Sequence, residues 1–264
     1  MATVKEIYDY LDTLAPFSHQ MDFDNSGFLV GRGEAPVKKI MVALDITQEV
    51  IEEAVAAGCQ LIVSHHPIIF RPARSVTDTT LVGKCLLTLA ENRVAAICAH
   101  TNLDVAAEGV NDALAQKLKL SQVELLHQEG LDTQGKPYGI GRVGIVNGFD
   151  SAREFAAFVQ TRLDAGGLRL EDAGRPVHKV AVGGGACGEY MKEAVKMGCD
   201  TFVTADIKYN TFLDARALGL NLIDAGHFST ENVVCPILVQ WLTNGFPEVD
   251  VMISKVHKEV FSCI

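Results

Sequence analysis

The sequence predicts an α/β protein built from two repeats of one unit, with mixed, largely parallel sheets. Three observations predict it. Strand-like apolar runs alternate with helix-like amphipathic runs. Two stretches of thirty residues match each other at a constant offset of 140 positions. Each repeat then delivers a histidine and, four residues on, an acid just after a strand.

The elements follow in order. Val4–Leu14 has apolar spacing suited to a helix packed on the first repeat. Lys39–Leu44 reads as a strand, Gln48–Ala57 as a helix and Leu61–Ser64 as a strand. Leu81–Asn92 is helical, Val94–Ala99 a strand and Val110–Leu118 a helix. The stretch from about 120 to 176 is less regular: Gly130–Gly141 is turn-rich, Gly141–Val146 strand-like and Ala152–Leu163 helical. The alternation then resumes with strands at Lys179–Val182, Thr201–Thr204 and Asn221–Asp224, and helices at Tyr190–Met197, Thr211–Leu218 and Asn232–Thr243. We divide the chain into residues 1–125, the first repeat, and 126–264, a linking segment and the second repeat, with the C-terminal part packing back on the first.

The repeat rests on Val37–His66 laid over Val177–Asp206. Ten of thirty positions are identical without a gap, among them Lys39/Lys179, Glu53/Glu193, Gly58/Gly198 and Cys59/Cys199. Chance would give roughly two, so an internal duplication is the better explanation. Each copy ends its helix at a glycine, as a left-handed C-cap requires, and then enters a strand.

Composition restricts function. Of 264 residues 48% are hydrophobic and 21% charged, an ordinary globular balance. The formal net charge of −10 argues against a nucleic-acid footprint, which needs clustered Lys and Arg. It leaves room for a small anionic substrate, because bound metal ions add positive charge that the count omits. Seven cysteines, an odd number with no CxxC pair, read as reduced, mostly buried thiols of a cytoplasmic protein. No apolar run is long enough to span a bilayer, and Met1 to Pro16 has no signal-peptide core.

Ser64-His65-His66-Pro67 ends a buried-type strand. Adjacent histidines on a regular strand point to opposite faces. Before Pro67 the ribbon leaves the strand, and both can converge. His100 and Asp104, and again His227 and Glu231, stand four residues apart, so each pair shares a helix face. Histidine with carboxylate suits Zn, Mn, Fe, Co or Ni. Five or six such donors are too many for one catalytic zinc, and suit two ions bridged by a carboxylate and a water. In the second copy the His65-His66 position becomes Ala205-Asp206, so the duplication does not give two equal sites. The economical reading is one shared site, with His65, His66 and Asp104 from the first copy and His227 and Glu231 from the second.

Gly183-Gly184-Gly185-Ala186-Cys187-Gly188 fits G-x-G-x-x-G between a strand and a helix. It reads as a tight turn for close strand–helix approach, as a cradle for a substrate phosphate, or as a dinucleotide loop. The candidate substrate contacts are Gly184 and Gly185, with Asp206 and Lys208. Asp22–Gly27 reads as a polar, capped turn.

Taken together, Asp24-Asn25-Ser26-Gly27-Phe28-Leu29-Val30-Gly31, Ala43-Leu44-Asp45, Ser64-His65-His66-Pro67-Ile68-Ile69-Phe70, Ala99-His100-Thr101-Asn102-Leu103-Asp104 and Asp224-Ala225-Gly226-His227-Phe228-Ser229-Thr230-Glu231 resemble the NIF-three-like family, whose members are often labelled GTP cyclohydrolase 1 type 2 homologues. The resemblance runs from about residue 3 to the C-terminus. It implies two intertwined repeats, a dinuclear metal centre and a ring-shaped homohexamer. It also implies that His66 and Asp104 hold one metal, that His65 and His227 hold the other, that Glu231 bridges them, and that His100 stands nearby, either as an acid–base group or as a group supporting the metal ligands from behind. The chain departs from the family pattern at Thr204-Ala205-Asp206, where Ala205 replaces a common glycine, and through Asn210, where no histidine follows.

Three functions follow. The first is a metal-dependent hydrolase acting on a nucleotide or other phosphorylated small molecule, with GTP ring opening as the family's label. The second is a non-catalytic metal-binding or regulatory protein. The third is a nucleotide-cofactor oxidoreductase using the glycine loop, which leaves the histidines and acids unexplained and ranks last.

Overall fold

The computed structural model describes residues 1–264. In chain order its elements are α1 (Val4–Leu14), β1 (Gly27–Val30), β2 (Lys39–Ala43), α2 (Gln48–Ala56), β3 (Leu61–Ser64), α3 (Leu81–Glu91), β4 (Ala95–Cys98), α4 (Thr101–Val105), α5 (Val110–Lys117) and β5 (Ser121–Leu131). They continue with β6 (Pro137–Phe149), α6 (Ala152–Leu163), β7 (Arg169–Glu171), β8 (Val177–Val182), α7 (Met191–Lys196), β9 (Thr201–Thr204), α8 (Tyr209–Leu218), β10 (Asn221–Asp224), α9 (His227–Glu231), α10 (Cys235–Gly245) and β11 (Asp250–Ile253). No helix is long and apolar enough to cross a membrane.

Two compact units result. The first comprises Met1–Ala106 and Cys235–Lys258, the second Ala107–Val234 and Glu259–Ile264. The first unit holds a five-stranded sheet in the order β1-β4-β3-β2-β11. β2, β3 and β4 are parallel neighbours, β11 adds in parallel beside β2, and β1 closes the other edge antiparallel. β3 and β4 are buried along their whole length, which is why both read as unbroken apolar runs. The core against this sheet includes Met41, Val50, Ile51, Ile62 and Leu89. Helix starts are set by threonine: Thr3 and Glu6 form a reciprocal capping box on α1, while Thr47 and Thr80 cap α2 and α3.

The second unit holds a six-stranded sheet in the order β5-β6-β8-β9-β10-β7. Its centre, β8-β9-β10, is parallel, and β7 closes one edge antiparallel. Phe155, Val159, Val180, Val203 and Ile223 fill its core. The matching topologies bear out the sequence repeat, since β2-α2-β3 corresponds to β8-α7-β9. Gly58 and Gly198 adopt φ of +72° and +78°, and the amides of Cys59 and Cys199 reach back to the carbonyls of Ala54 and Ala194. Both helices therefore end in the same left-handed cap.

The segment read as irregular is a long antiparallel hairpin, β5 with β6. Two features hid it. β5 is largely exposed, so it carries little apolar alternation. β6 contains Gly139 and Gly141, which fall in the stretch read as turn-rich, and Gly144, inside the part read as a strand. A side chain at Gly139 would collide with the backbone of His127, and one at Gly144 would press on Leu120, so these glycines permit close strand approach. β1, β7 and β11 are short edge strands that the periodicity did not single out.

Candidate metal centre

In the first unit the donors gather where parallel strands end. His65 and His66 follow β3, and His100 follows β4. Beyond the last ladder residue the two adjacent histidines turn the same way, with ring centroids 5.0 Å apart. The His100 ring lies 5.1 Å from His65 and 5.4 Å from His66, edge-on to both. One ring nitrogen from each of the three lies within 4.8 Å of the others, a grouping able to hold a metal ion. Asp104 comes from α4, and its Oδ1 stands 3.6 Å from His65 Nε2. Both side chains are almost wholly buried, at 0% and 10% exposure. That spacing exceeds a hydrogen bond and suits two ligands of one cation.

The ring orientations are fixed from behind. His65 Nδ1 lies 2.8 Å from the carbonyl of Ala99, which can only accept, so Nδ1 carries the proton and Nε2 keeps its lone pair. His66 Nδ1 meets Asp45 Oδ1 at 2.8 Å, and His100 Nδ1 meets Asp24 Oδ1 at 2.8 Å. An oxygen acceptor behind an imidazole fixes its tautomer and raises the basicity of the far nitrogen, as in metal-ligating histidines.

Asp24 is itself held tightly. Its Oδ2 accepts from Ser26 Oγ at 2.7 Å, Thr101 Oγ1 at 2.6 Å and the Thr101 amide at 3.0 Å. Burial alone would raise this carboxyl, but hydrogen bonds from His100, Thr101 and Ser26 outweigh it and hold Asp24 well below the usual carboxylate range. The turn read from sequence only as a capped loop therefore carries the orienting acid of His100.

The second unit repeats the arrangement with different residues. His227 and Glu231 lie one turn apart on α9, His227 Nε2 being 3.0 Å from Glu231 Oε2. His227 Nδ1 is engaged by Asp206 Oδ2 at 2.7 Å. Asp206 has φ +54°, a left-handed conformation that aspartate tolerates better than most residues. It occupies the position that is His66 in the first copy. One strand end thus supplies imidazole in one repeat and an orienting carboxylate in the other.

The glycine loop has a steric role here. The Gly184 amide donates to Asn111 Oδ1 at 2.9 Å and the Gly185 amide to Thr230 Oγ1 at 3.0 Å. Gly185 has φ +61°, and a Cβ there would overlap the Glu231 carboxylate and lie 3.3 Å from His227 Cε1. The loop makes room for the buried acid. Its amides face protein acceptors, which weakens the dinucleotide reading. Lys208 caps α8 and is exposed.

Each donor set fits a divalent cation on chemical grounds. Buried carboxylates are expensive unless paired or metal-bound, and each is accompanied by an imidazole whose lone pair is directed by its backing oxygen. The sequence identified His65, His66, His100, Asp104, His227 and Glu231. It gave no role to Asp24 or the Ala99 carbonyl, quoted Asp45 only within a motif, and placed Asp206 among substrate contacts. An acid 21 residues before His66 and before His227 was the available signal, but spacing alone does not reveal which imidazole it backs, and Asp24 stands 76 residues before His100.

Comparison with known proteins gives the family and the fold. Residues 2–260 match the family described as Duf34/NIF3 (NGG1p interacting factor 3). A relative from Clostridium acetobutylicum, described as a GTP cyclohydrolase 1 type 2 homolog, is 36% identical over 229 residues, covering 86% of this chain and 85% of its own. Among solved structures, a hypothetical protein of Staphylococcus aureus superposes with a TM-score of 0.93 at 29% identity, covering 99% of both chains. A Bacillus cereus protein related to NIF3 has a TM-score of 0.94 at 24% identity, covering 100% of this chain and 99% of that one, and shares the fold.

Proposed function

This chain belongs to the Duf34/NIF3 family, and from that premise we propose that it is a dinuclear metal-dependent hydrolase of a nucleotide or other phosphorylated small molecule. The observation that carries this reading is the set of oxygen acceptors behind His65, His66, His100 and His227, each on Nδ1, which leaves each Nε2 on the side of the ring away from its backing oxygen. The residues that would hold the metal in this reading are His65, His66 and Asp104 from the first repeat and His227 and Glu231 from the second. When bound, two divalent ions would supply Lewis-acid polarisation and lower the pKa of water toward neutrality.

The chain's own groups do the rest. His100 is the proton-handling group: its Nδ1–H is fixed on Asp24, so Nε2 is the atom that takes and returns a proton. Asp45 and Asp206 hold His66 and His227 in place as charge develops. Gly184 and Gly185 keep space open beside Glu231, and Asp206 and Lys208 flank the second-copy strand end. A homohexamer in the cytoplasm is the proposed assembly and place.

The relatives' name makes opening of the GTP purine ring the specific reaction to examine first. Protein loaded with Mn, Zn or Fe should turn over GTP or a member of a phosphoester panel, and His100→Gln should lower kcat about 10²-fold or more. Absence of turnover with every metal in fully loaded protein would overturn hydrolysis and leave metal handling as the function.

A further inference from the structure

Two aromatic rings stand exposed beside the imidazole cluster. Phe23 is 64% exposed and Phe70 44% exposed. They touch edge to face, with centroids 6.5 Å apart and planes inclined by 63°. Phe70 also meets His100 edge-on at 6.2 Å. Their segments are tied together, because Asn25 Nδ2 donates to the carbonyl of Ile69 at 2.5 Å. Single exposed apolar residues need no explanation. Two rings that contact each other and sit on cross-linked loops, one of them against the half-buried His100, form an organised surface. Behind Phe70 opens a recess of about 470 Å³ whose wall carries Arg71 and Arg74. That volume lies within the range of small-ligand sites, and both arginines are exposed in a chain of net charge −10.

We propose that Phe23 and Phe70 are specificity-determining residues that stack a planar heteroaromatic ring beside His100, while Arg71 and Arg74 receive an anionic group on the same molecule. The inference rests on the imidazole cluster being the ligand-binding site of the proposed function, whether or not turnover follows there. The two ring planes, inclined by 63°, form a corner, and Phe70 within it meets His100 edge-on. Guanidinium forks are matched to phosphate or carboxylate. A ligand with both features, such as a nucleoside phosphate, satisfies the aromatic corner and the cationic wall. A sugar phosphate satisfies the wall alone.

The experiment compares guanosine 5′-monophosphate with ribose 5-phosphate by equilibrium titration of the full, metal-loaded chain. The nucleotide should bind about ten-fold tighter or more, the gain expected for stacking on an aromatic side chain. Phe70→Leu combined with Phe23→Leu should bring the ratio close to one, and Phe70→Tyr should retain it. Arg71→Ala with Arg74→Ala should weaken both ligands by a similar factor and leave the ratio unchanged. Equal affinities in the parent would overturn the inference, as would a ratio that survives loss of both rings. Should the leucine variants fold poorly, Phe23→Leu alone, checked by thermal melting, must reduce the ratio. Because the readout is binding, intact ring discrimination without hydrolysis supports this inference while overturning the hydrolase reading.

Discussion

Replacing Gly185 with alanine perturbs the candidate centre without removing any donor atom. The added methyl group meets Glu231 on one side and His227 Cε1 at 3.3 Å on the other. The carboxyl carbon of Glu231 would lie 3.0 Å from the new Cβ, with Oε1 closer still. Relief requires the carboxylate to swing by about 1 Å, since ordinary carbon contacts begin near ~3.5 Å. Metal–ligand distances tolerate only about 0.2 Å, so the acid would leave the position that the proposed metal role requires. Alanine in the left-handed region also costs ~1–2 kcal/mol. We expect metal affinity to fall ~10–100-fold and the metal-free melting temperature to fall by roughly 2–8 °C, at ~2–4 °C per kcal/mol for a chain of this size. Titration of metal-free protein with buffered Zn or Mn, beside thermal melts, reads both. Unchanged affinity in a folded Gly185→Ala variant would refute the steric argument, and with it a ligand role for Glu231.

Further outcomes follow from other parts of the molecule. Gly58→Ala and Gly198→Ala are matched controls: both positions are left-handed with open space around a Cβ, so each should lose about 1 kcal/mol of stability in urea titration and keep its metal. Asp24 is held below its unfolded-state pKa, so its stabilisation is complete above the usual carboxylate range, at about pH 4, and is lost as pH falls through the folded value. Asp24→Asn should therefore flatten the acid limb of the stability–pH curve and destabilise the metal-free protein by ~1–3 kcal/mol at neutral pH. Six cysteines are buried and only Cys263 is exposed, and burial pushes the thiols of Cys98 and Cys235 up to about 12. A thiol reagent should label one cysteine in native protein and seven after denaturation. Rapid native labelling of several would show that the buried thiols open readily.

Much of this candidate site is legible in the sequence. Duplication leaves a signature in identical residues at fixed spacing, and parallel strands buried on both faces leave continuous apolar runs. Strand ends followed by His and acid at helical spacing then pointed to Asp104 and Glu231. What escaped the sequence has physical causes. The β5–β6 hairpin is stabilised by cross-strand pairing of an exposed strand, and its glycines serve close packing while resembling turns. The orienting acids Asp24 and Asp45 act across 76 and 21 positions of chain, and only the fold pairs them with their histidines. Gly185 could be read as a phosphate loop because its real partner, Glu231, lies 46 residues away in sequence.

Elemental analysis of purified parent protein, with His65→Ala and Glu231→Ala prepared in parallel, addresses the proposed shared centre most directly. The two substitutions lie in different repeats. One dinuclear site predicts about two divalent ions per chain in the parent and marked loss in both variants. Two independent sites, each variant keeping one ion and losing the other cleanly, would contradict a common centre, as would a folded parent that takes up no metal at all.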